Sequence, residues 1–532
     1  MNPRFLAALL LVALTGFISL SYEICWVRLY SFVTASRAWA FGAMLGTYLI
    51  GLSLGSLWSL RFQDGGDGSN PKHLRTLSMF VLAANALGFL VVPIVSWLAT
   101  LVPYEAVETG HGAMLILITL PLIALAAALL GATLPLICHF AIPPDDKAGA
   151  RLSYLYLANI LGSGAGSLLT GFVLMDKFSI QQISVFLAIL GLILSAGLAF
   201  YSNLKGAQLG KRLAITAATG VAVLLAAPFL FAGLFERLQL KSDYQHGERF
   251  DLVIESRFGV VTIDQGNKIY GGGIYDGYIG TELKPGSWMV RPYFLSAVHE
   301  APKEVLVIGL SGGTWTQILA HNPHIEKITA IEINAAYSER VIPRYDAVKG
   351  LLDNPKVEII IDDGRRWLRN HPDRKFDAVI ANATYHWREH ASSLLSTEFM
   401  EQINDHLNPG GIYLFNATGS DRAAKTALGV FDDCALLLNN ILASNAPLKF
   451  DKDRWRDTLA AYNYEGTPLF DTTTEEGKND LEEIVSILDN AGVKDVATER
   501  RLWTKEILEN DPGTQKARPI TDDNLGHEFW YH

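Results

Sequence analysis

The stretch Glu304–Asn334, EVLVIGLSGGTWTQILAHNPHIEKITAIEIN, decides the fold of the C-terminal half. It reads as a buried strand at Val305–Ile308, a tight loop of small residues at Gly309–Gly313, a helix, and a second strand ending at Glu332. Short unbroken apolar runs such as Val305–Ile308 and Ile328–Ile331 are the signature of parallel strands covered on both faces. Gly309, Ser311 and Gly313 occupy the three glycine positions of a GxGxG loop, which lets a ligand approach the backbone closely. The helix that follows opens with free N–H groups and a positive dipole end, suited to a carboxylate or phosphate. Glu332, at the carboxyl end of the second strand, is placed to accept hydrogen bonds from ribose hydroxyls. Together these residues describe a nucleoside site on an α/β sheet.

Outward toward the C-terminus, VEIIIDDGRRWL gives a third strand ending in Asp362-Asp363-Gly364, and FDAVIAN a fourth ending at Asn382. GIYLFNAT is a later strand, after a helix near Thr397–Leu407 and a turn at Asn408–Gly411. Ligands in open α/β sheets bind at the carboxyl ends of strands, and Gly309, Glu332, Asp363 and Asn382 all lie there. The loop NATYHWREHASSLLS brings Tyr385, His386, Arg388, Glu389 and His390 to the same mouth. Either histidine suits proton exchange near neutrality, and Arg388 suits an anionic group. His386 and His390 are spaced to share a helix face as metal ligands, yet no third ligand accompanies them, so no metal is assigned. The alternative is a loop whose aromatic and basic groups only pack at the rim. The tail beyond Asp421 reads as helical, including Ala424–Leu442 and Leu481–Asn490.

Outward toward the N-terminus the chain changes character. The 532 residues leave room for two or three domains. A mean hydropathy of +0.21 with 18% charged residues is too apolar for a soluble enzyme of this length, and the excess lies before residue 235. A net charge of −10 without a basic block excludes a nucleic-acid partner. Three scattered cysteines support neither a disulfide framework nor a Cys metal site. Seven segments are long enough to span a bilayer: Phe5–Tyr30, Ala38–Leu60, Leu77–Val102, Ala113–Ile142, Leu152–Met175, Ile183–Tyr201 and Leu213–Leu234. Gly42 and Gly46, Gly51 and Gly55, and Gly162 and Gly166 are spaced four apart, as in tightly packed membrane helices. Glu23 and Arg28 are expected to pair or to face a polar cavity, and Asn159 to adhere to a neighbouring helix. After the linker Glu236–Lys241, alternation in Phe250–Glu255 and Val260–Asp264 suggests a small antiparallel unit. YGGGIYDGYIGTE (Tyr270–Glu282) is either a mobile cover or a plain glycine-rich turn.

Several of these segments resemble a known family. SLSYEICWVRLYSF, GTYLIGLSLGSLWSLR, GATLPLI and LYLANILGSGAGSLLTGFVL are similar, in order, to the membrane half of bacterial proteins fused to spermidine-synthase-like domains. SDYQ followed by FGVVTID resembles the N-terminal β unit of spermidine synthases. The resemblance implies an α-helical membrane bundle plus an α/β Rossmann-like, class I methyltransferase or spermidine synthase-like domain with a small N-terminal β unit. The expected domains are 1–235, the transmembrane helices; 242–300, the β unit; 301–420, the nucleoside-binding core; and 421–532, a helical extension. The implied substrate is S-adenosylmethionine or decarboxylated S-adenosylmethionine. Gln245 would contact the ribose side and Asp363, with Gly364, the adenine amino group.

The departures matter as much as the matches. Spermidine synthases carry an Asp in the glycine loop where this chain has Gly312, and two acids where it has Asn382 and Tyr385. Their acidic stretch ahead of the core has no counterpart at Trp288–Phe294. Losing these carboxylates removes a general base and the charge complement of a polycation, so the acceptor is expected to be something other than plain putrescine. The candidate catalytic set is His386, Tyr385, Asn382, His390 and Arg388, with Asp522 and Asp523 of the closing TDD run as further acidity. The expected activity is group transfer by direct displacement at a sulfonium-bound carbon. A methyltransferase acting on a membrane-proximal acceptor is one alternative, and a transporter or sensor with a regulatory nucleoside-binding domain is another. The expected partners are the lipid bilayer and a small-molecule acceptor, and a homo-oligomer stays open. The expected location is a bacterial-type inner membrane. Basic linkers at 61–75, 147–151 and 205–212 put those loops in the cytoplasm by charge, which places residues 235–532 outside if all seven segments cross. An S-adenosylmethionine enzyme belongs inside. A re-entrant pair at Ser19–Glu23 is the expected way out, with the C-terminal half cytoplasmic.

Overall fold

In the computed structural model the described residues are 3–63, 71–103, 113–202, 206–281, 289–382, 386, 388–389, 391–464, 466–490 and 502–525. The chain divides into two compact units, Met1–Thr262 and Ile263–His532.

Among its described residues the first unit contains seven helical segments long and apolar enough to cross a membrane, from Arg4–Val33 to Gly206–Phe231. The shortest, Ile180–Tyr201, has 22 residues, and about 20 suffice to span the hydrocarbon. The first helix, Pro3–Val33, is unbroken, so the expected re-entrant pair at Ser19–Glu23 is corrected. Two of the polar side chains there, Ser19 and Ser21, are satisfied sideways instead. Ser19 Oγ and Tyr48 Oη share a hydrogen bond of 2.5 Å, and Ser21 Oγ donates to the Gly166 carbonyl at 3.3 Å. The fourth segment is two helices, Ala113–Gly131 and Thr133–Ala141.

Two of the three glycine pairs act as expected. A Cβ on Gly162 would lie 2.0 Å from the Ala13 carbonyl oxygen, and one on Gly55 would lie 1.8 Å from that of Ala128. Only glycine permits such backbone approach. Gly42 and Gly46 have nothing within 4 Å, so the packing expectation is corrected for that pair. Arg28 does not pair with Glu23. Its guanidinium donates to the Ser256 carbonyl at 2.6 Å and the Arg257 carbonyl at 2.9 Å, because two carbonyls of one turn converge at the end of the helix. From the same segment, the Glu255 carboxylate accepts from the Ile180 N–H at 2.7 Å.

The first unit runs past the expected boundary at 235. Strands β1 (Leu252–Ser256) and β2 (Gly259–Ile263) follow the last span, and Val260, Val253 and Phe250 share an apolar core with Leu234, Phe235 and Leu238. Gln245 belongs to this unit, where its N–H donates to Glu248 Oε2 at 3.1 Å.

The second unit opens with the antiparallel hairpin β3 (Lys268–Gly271) and β4 (Ile274–Tyr278). Gly272 and Gly273 turn it with φ of +63° and +82°, a left-handed pair that suits glycine in a tight hairpin. The glycine-rich stretch is therefore a paired hairpin through Tyr278, not a covering loop. Its main sheet contains β5 (Glu304–Ile308), β6 (Lys327–Glu332), β7 (Val357–Ile361), β8 (Phe376–Ala381), β9 (Leu407–Asn416), β10 (Asp433–Leu437) and β11 (Asn440–Ser444). The order is β10-β11-β9-β8-β5-β6-β7, with the short strand Leu502–Trp503 beyond β10. β7, β6, β5, β8 and β9 are parallel, and β11 runs antiparallel between β9 and β10.

Ala424–Leu442 is not one helix. A helix covers Asp421–Val430, and the rest is β10, a two-residue turn and β11. Strands win there because Cys434–Leu437 and Ile441–Ala443 are buried on both faces of the sheet. The 421–532 extension thus adds strands to the core sheet as well as helices. The turn expected at Asn408–Gly411 lies within β9, beside an irregular register opposite Phe376–Ala378.

Candidate functional site

The parallel order places β5 between β6 and β8, so successive crossovers leave β5 in opposite directions. Such a switch point opens a crevice at the carboxyl ends of the strands. Here it lies between Gly309 and Asn382. The Asn382 N–H donates to the Ile308 carbonyl at 3.1 Å, and a Cβ on Gly309 would be 3.6 Å from the Asn382 carbonyl oxygen.

The glycine loop alternates in hand. Gly309, Ser311 and Gly313 have φ of +92°, +48° and +83°. Glycine adopts this region freely, whereas serine there costs about 1 kcal/mol. Ser311 is held in it by its Oγ donating to the Asp276 carbonyl at 2.9 Å. Gly313 also makes room: a Cβ there would stand 3.0 Å from Ile342 Cδ1 and Leu351 Cδ2. The helix behind the loop, Thr314–Ala320, has seven residues, too short to act as the anion site expected from its dipole.

Glu332 ends β6 and is buried. One carboxylate oxygen accepts from the N–H groups of Leu310 at 2.9 Å and Ser311 at 3.2 Å, and the other from that of Asn334 at 2.8 Å. Burial pushes its pKa up to about 7 against these hydrogen bonds. Beside it, Ile333 is 51% exposed, an apolar surface next to a ribose-type acid that the sequence reading missed. Asp363 follows β7 and caps the helix Gly364–Asn370, accepting from the Arg366 N–H at 2.8 Å. Gly364 packs under Ile308, whose Cγ2 would stand 2.7 Å from an added Cβ.

His386 is buried, 8% exposed. Its backbone N–H donates to Thr418 Oγ1 at 3.0 Å, and its Nδ1 lies 2.9 Å from the same oxygen. These contacts fix the imidazole against β9's end. Tyr385 and His390 lie outside the described residues. Arg388 turns to the hairpin: one guanidinium nitrogen is 3.4 Å from Asp276 Oδ1, and the other donates to the Gly271 carbonyl at 3.2 Å. The Tyr337 hydroxyl donates to Asp276 Oδ2, and burial raises the Tyr337 pKa well above its ordinary value.

Asp276 is thus the acid at the heart of this cluster; the sequence offers it only as a reserve base, with Glu282 and Asp522, should putrescine be the acceptor. Its signal is the YDG of the hairpin, six residues after Tyr270. Asp522 does not add acidity to the mouth. Both its oxygens are held by Arg365, at 2.7 and 2.9 Å, which keeps its pKa below the usual carboxylate value. Gly312 faces the hairpin, where a Cβ would be 2.2 Å from Ile269 Cδ1, so a side chain such as the acid that the family resemblance puts there would require the Ile269 side chain to move.

The chain is similar in part to several known proteins. A polyamine aminopropyltransferase of Mycobacterium tuberculosis is 29% identical over 321 residues, covering 57% of this chain and 59% of its own. One of Thermococcus kodakarensis is 35% identical over 136 residues, covering 24% of this chain and 46% of its own. The chain therefore spans between about half and three-fifths of these relatives' length. Among solved structures, spermidine synthase from Thermotoga maritima is 17% identical with a TM-score of 0.32, over 45% of this chain and 88% of that one. Human methyltransferase-like protein 13 in complex with SAH is 16% identical with a TM-score of 0.25, over 39% and 90%. Residues 294–424 match the family profile described as the spermine/spermidine synthase domain.

Proposed function

We propose that the chain is a membrane-embedded transferase that binds S-adenosylmethionine or its decarboxylated form at the β5–β8 crevice. The observation that carries this is the convergence of Gly309, Glu332, Asp363 and Asn382 at four neighbouring strand ends. The polyamine aminopropyltransferases among its relatives support group transfer. In this reading Glu332 receives the ribose hydroxyls, the Ile333 surface the adenine face, and Asp363 with Gly364 the adenine edge.

The chemistry is displacement at a carbon bonded to the sulfonium. A nucleophile's lone pair forms the new bond, the C–S pair returns to sulfur, and a thioether nucleoside leaves. The protein supplies alignment and a place for the nucleophile's proton. Asn382, His386, Tyr385 and His390 are the proposed wall of the acceptor side. Without acids at 312, 382 and 385 this wall is poor in negative charge, which favours an acceptor other than plain putrescine. The site is proposed to work at the cytoplasmic face, where the donor is made.

Calorimetry on the full chain with 5′-methylthioadenosine tests the reading. Glu332→Ala should weaken binding by roughly 2 kcal/mol, the scale of lost hydrogen bonds to a charged group, and Glu332→Gln by less. Equal affinity in all three proteins would remove the assignment.

A further inference from the structure

The ion pair between Asp276 and Arg388 bears on which donor the site holds, and the inference rests on the nucleoside reading above. The pair stands on the glycine loop. The Asp276 carbonyl accepts from Ser311 Oγ at 2.9 Å, and its carboxylate is close enough to Glu332 for the two charges to interact. Arg388 sits 3.4 Å from Asp276 Oδ1 and is braced by the Gly271 carbonyl at 3.2 Å. Tyr337 holds the second carboxylate oxygen.

On the nucleoside reading, a ribose at Glu332 puts the donor's sulfonium beside Gly309–Gly313, and the hairpin that Ser311 Oγ joins at the Asp276 carbonyl is the nearest partner for its longest substituent. That substituent is an aminopropyl chain with one positive charge, or an amino acid chain with an ammonium and a carboxylate. A lone ammonium meets an acid already matched by an arginine, and no other carboxylate is available from the loop at Gly312. A zwitterion instead exchanges partners with the pair, its ammonium against Asp276 and its carboxylate against the planar fork of Arg388. Both protein charges stay compensated, and a donor lacking the carboxylate leaves Arg388 without an anion from the ligand. We propose that this site selects S-adenosylmethionine with its amino acid tail intact over the decarboxylated form, and that Asp276 and Arg388 read that tail.

The test is binding, measured on the full chain in detergent with two stable thioethers that differ only in the tail. S-adenosylhomocysteine carries the zwitterion; 5′-methylthioadenosine has none. Wild type should prefer S-adenosylhomocysteine by tenfold or more. Arg388→Gln and Asp276→Asn should each erase most of that preference while leaving 5′-methylthioadenosine within about twofold of wild type, which also shows that the variants are folded. Arg388→Lys should restore part of it. Equal or tighter binding of 5′-methylthioadenosine by wild type overturns the proposal while preserving the nucleoside site. So does an Arg388→Gln variant that weakens both thioethers equally, or tighter binding of decarboxylated S-adenosylmethionine than of S-adenosylmethionine. If wild type binds neither thioether, the nucleoside reading itself falls.

Discussion

The carboxylate of Glu332 accepts a hydrogen bond from the backbone N–H of Leu310 at 2.9 Å, so the end of β6 and the glycine loop are one hydrogen-bonded piece. The acid expected to wait for a ribose also shapes the loop. Its burial pushes its pKa up from 4.5 to about 7, and this has a consequence for stability. Below pH 4.5 folded and unfolded chains both hold the proton. Between 4.5 and 7 only the folded chain does, so stability falls as pH rises through that window and is flat above it. The full drop is roughly 3 kcal/mol. Thermal unfolding of the full chain from pH 5 to 8 should show a decline that Glu332→Gln lacks; matching slopes in the two proteins would refute the assignment.

Gly312 and Ile269 make a second testable contact. Gly312 has no positive φ to strain an alanine, so the 2.2 Å approach of Ile269 Cδ1 is the whole obstacle. Gly312→Ala should destabilise by about 1–3 kcal/mol, the usual cost of overpacking. Ile269→Ala should cost about 2–5 kcal/mol on its own. The double variant should be more stable than the sum of the two predicts, because each change relieves the other. Additive losses in denaturant titration would mean the two side chains do not share that space.

Arg365 and Asp522 bind each other on the surface, with side chains 26% and 40% exposed. A half-solvated pair of this kind contributes about 1 kcal/mol or less. Asp522→Asn should therefore shift unfolding slightly and leave thioether nucleoside release unchanged. A collapse of turnover with intact binding would restore Asp522 as a proton acceptor.

What the sequence made legible followed from local rules. Val305–Ile308, the glycine loop and Glu332 are contiguous, and each obeys a pattern of period or turn chemistry. Asp276 was harder to find because its partners, Tyr337 and Arg388, stand 61 and 112 residues away, and nothing in YDG announces them. The tail was misread for a different reason. Short apolar runs such as Cys434–Leu437 fit a buried helix as well as a strand; the deciding clue was the turn Leu438-Asn439, where Leu438 has φ of +55°. The Arg28 contact was hidden too, because it joins the first helix to a turn 228 residues later.

The sidedness of the two halves gives the last prediction. Three helical segments, Ala148–Lys177, Ile180–Tyr201 and Gly206–Phe231, separate the linker at 143–147 from the residues after the bundle. If all three cross, that linker and the C-terminal half lie on opposite faces. Charge alone puts the linker inside, but its pull is modest: Arg151 is paired with Asp145 at 2.8 Å. Across the last span the balance is closer still. Lys205 precedes it and Lys211 and Arg212 lie within its first two turns, and Arg237, Lys241 and Arg249 follow it. We propose that, with basic residues on both sides of that span, the need of the proposed site for a cytoplasmic donor sets the orientation. A reporter that fluoresces only in the cytoplasm, fused at the C-terminal end, should be bright, and a cysteine placed at Lys147 should react with a membrane-impermeant maleimide from outside intact cells. A dark reporter with a protected cysteine would invert the topology and remove S-adenosylmethionine as the ligand. A bright reporter with a protected cysteine would mean that one of the three helices does not cross.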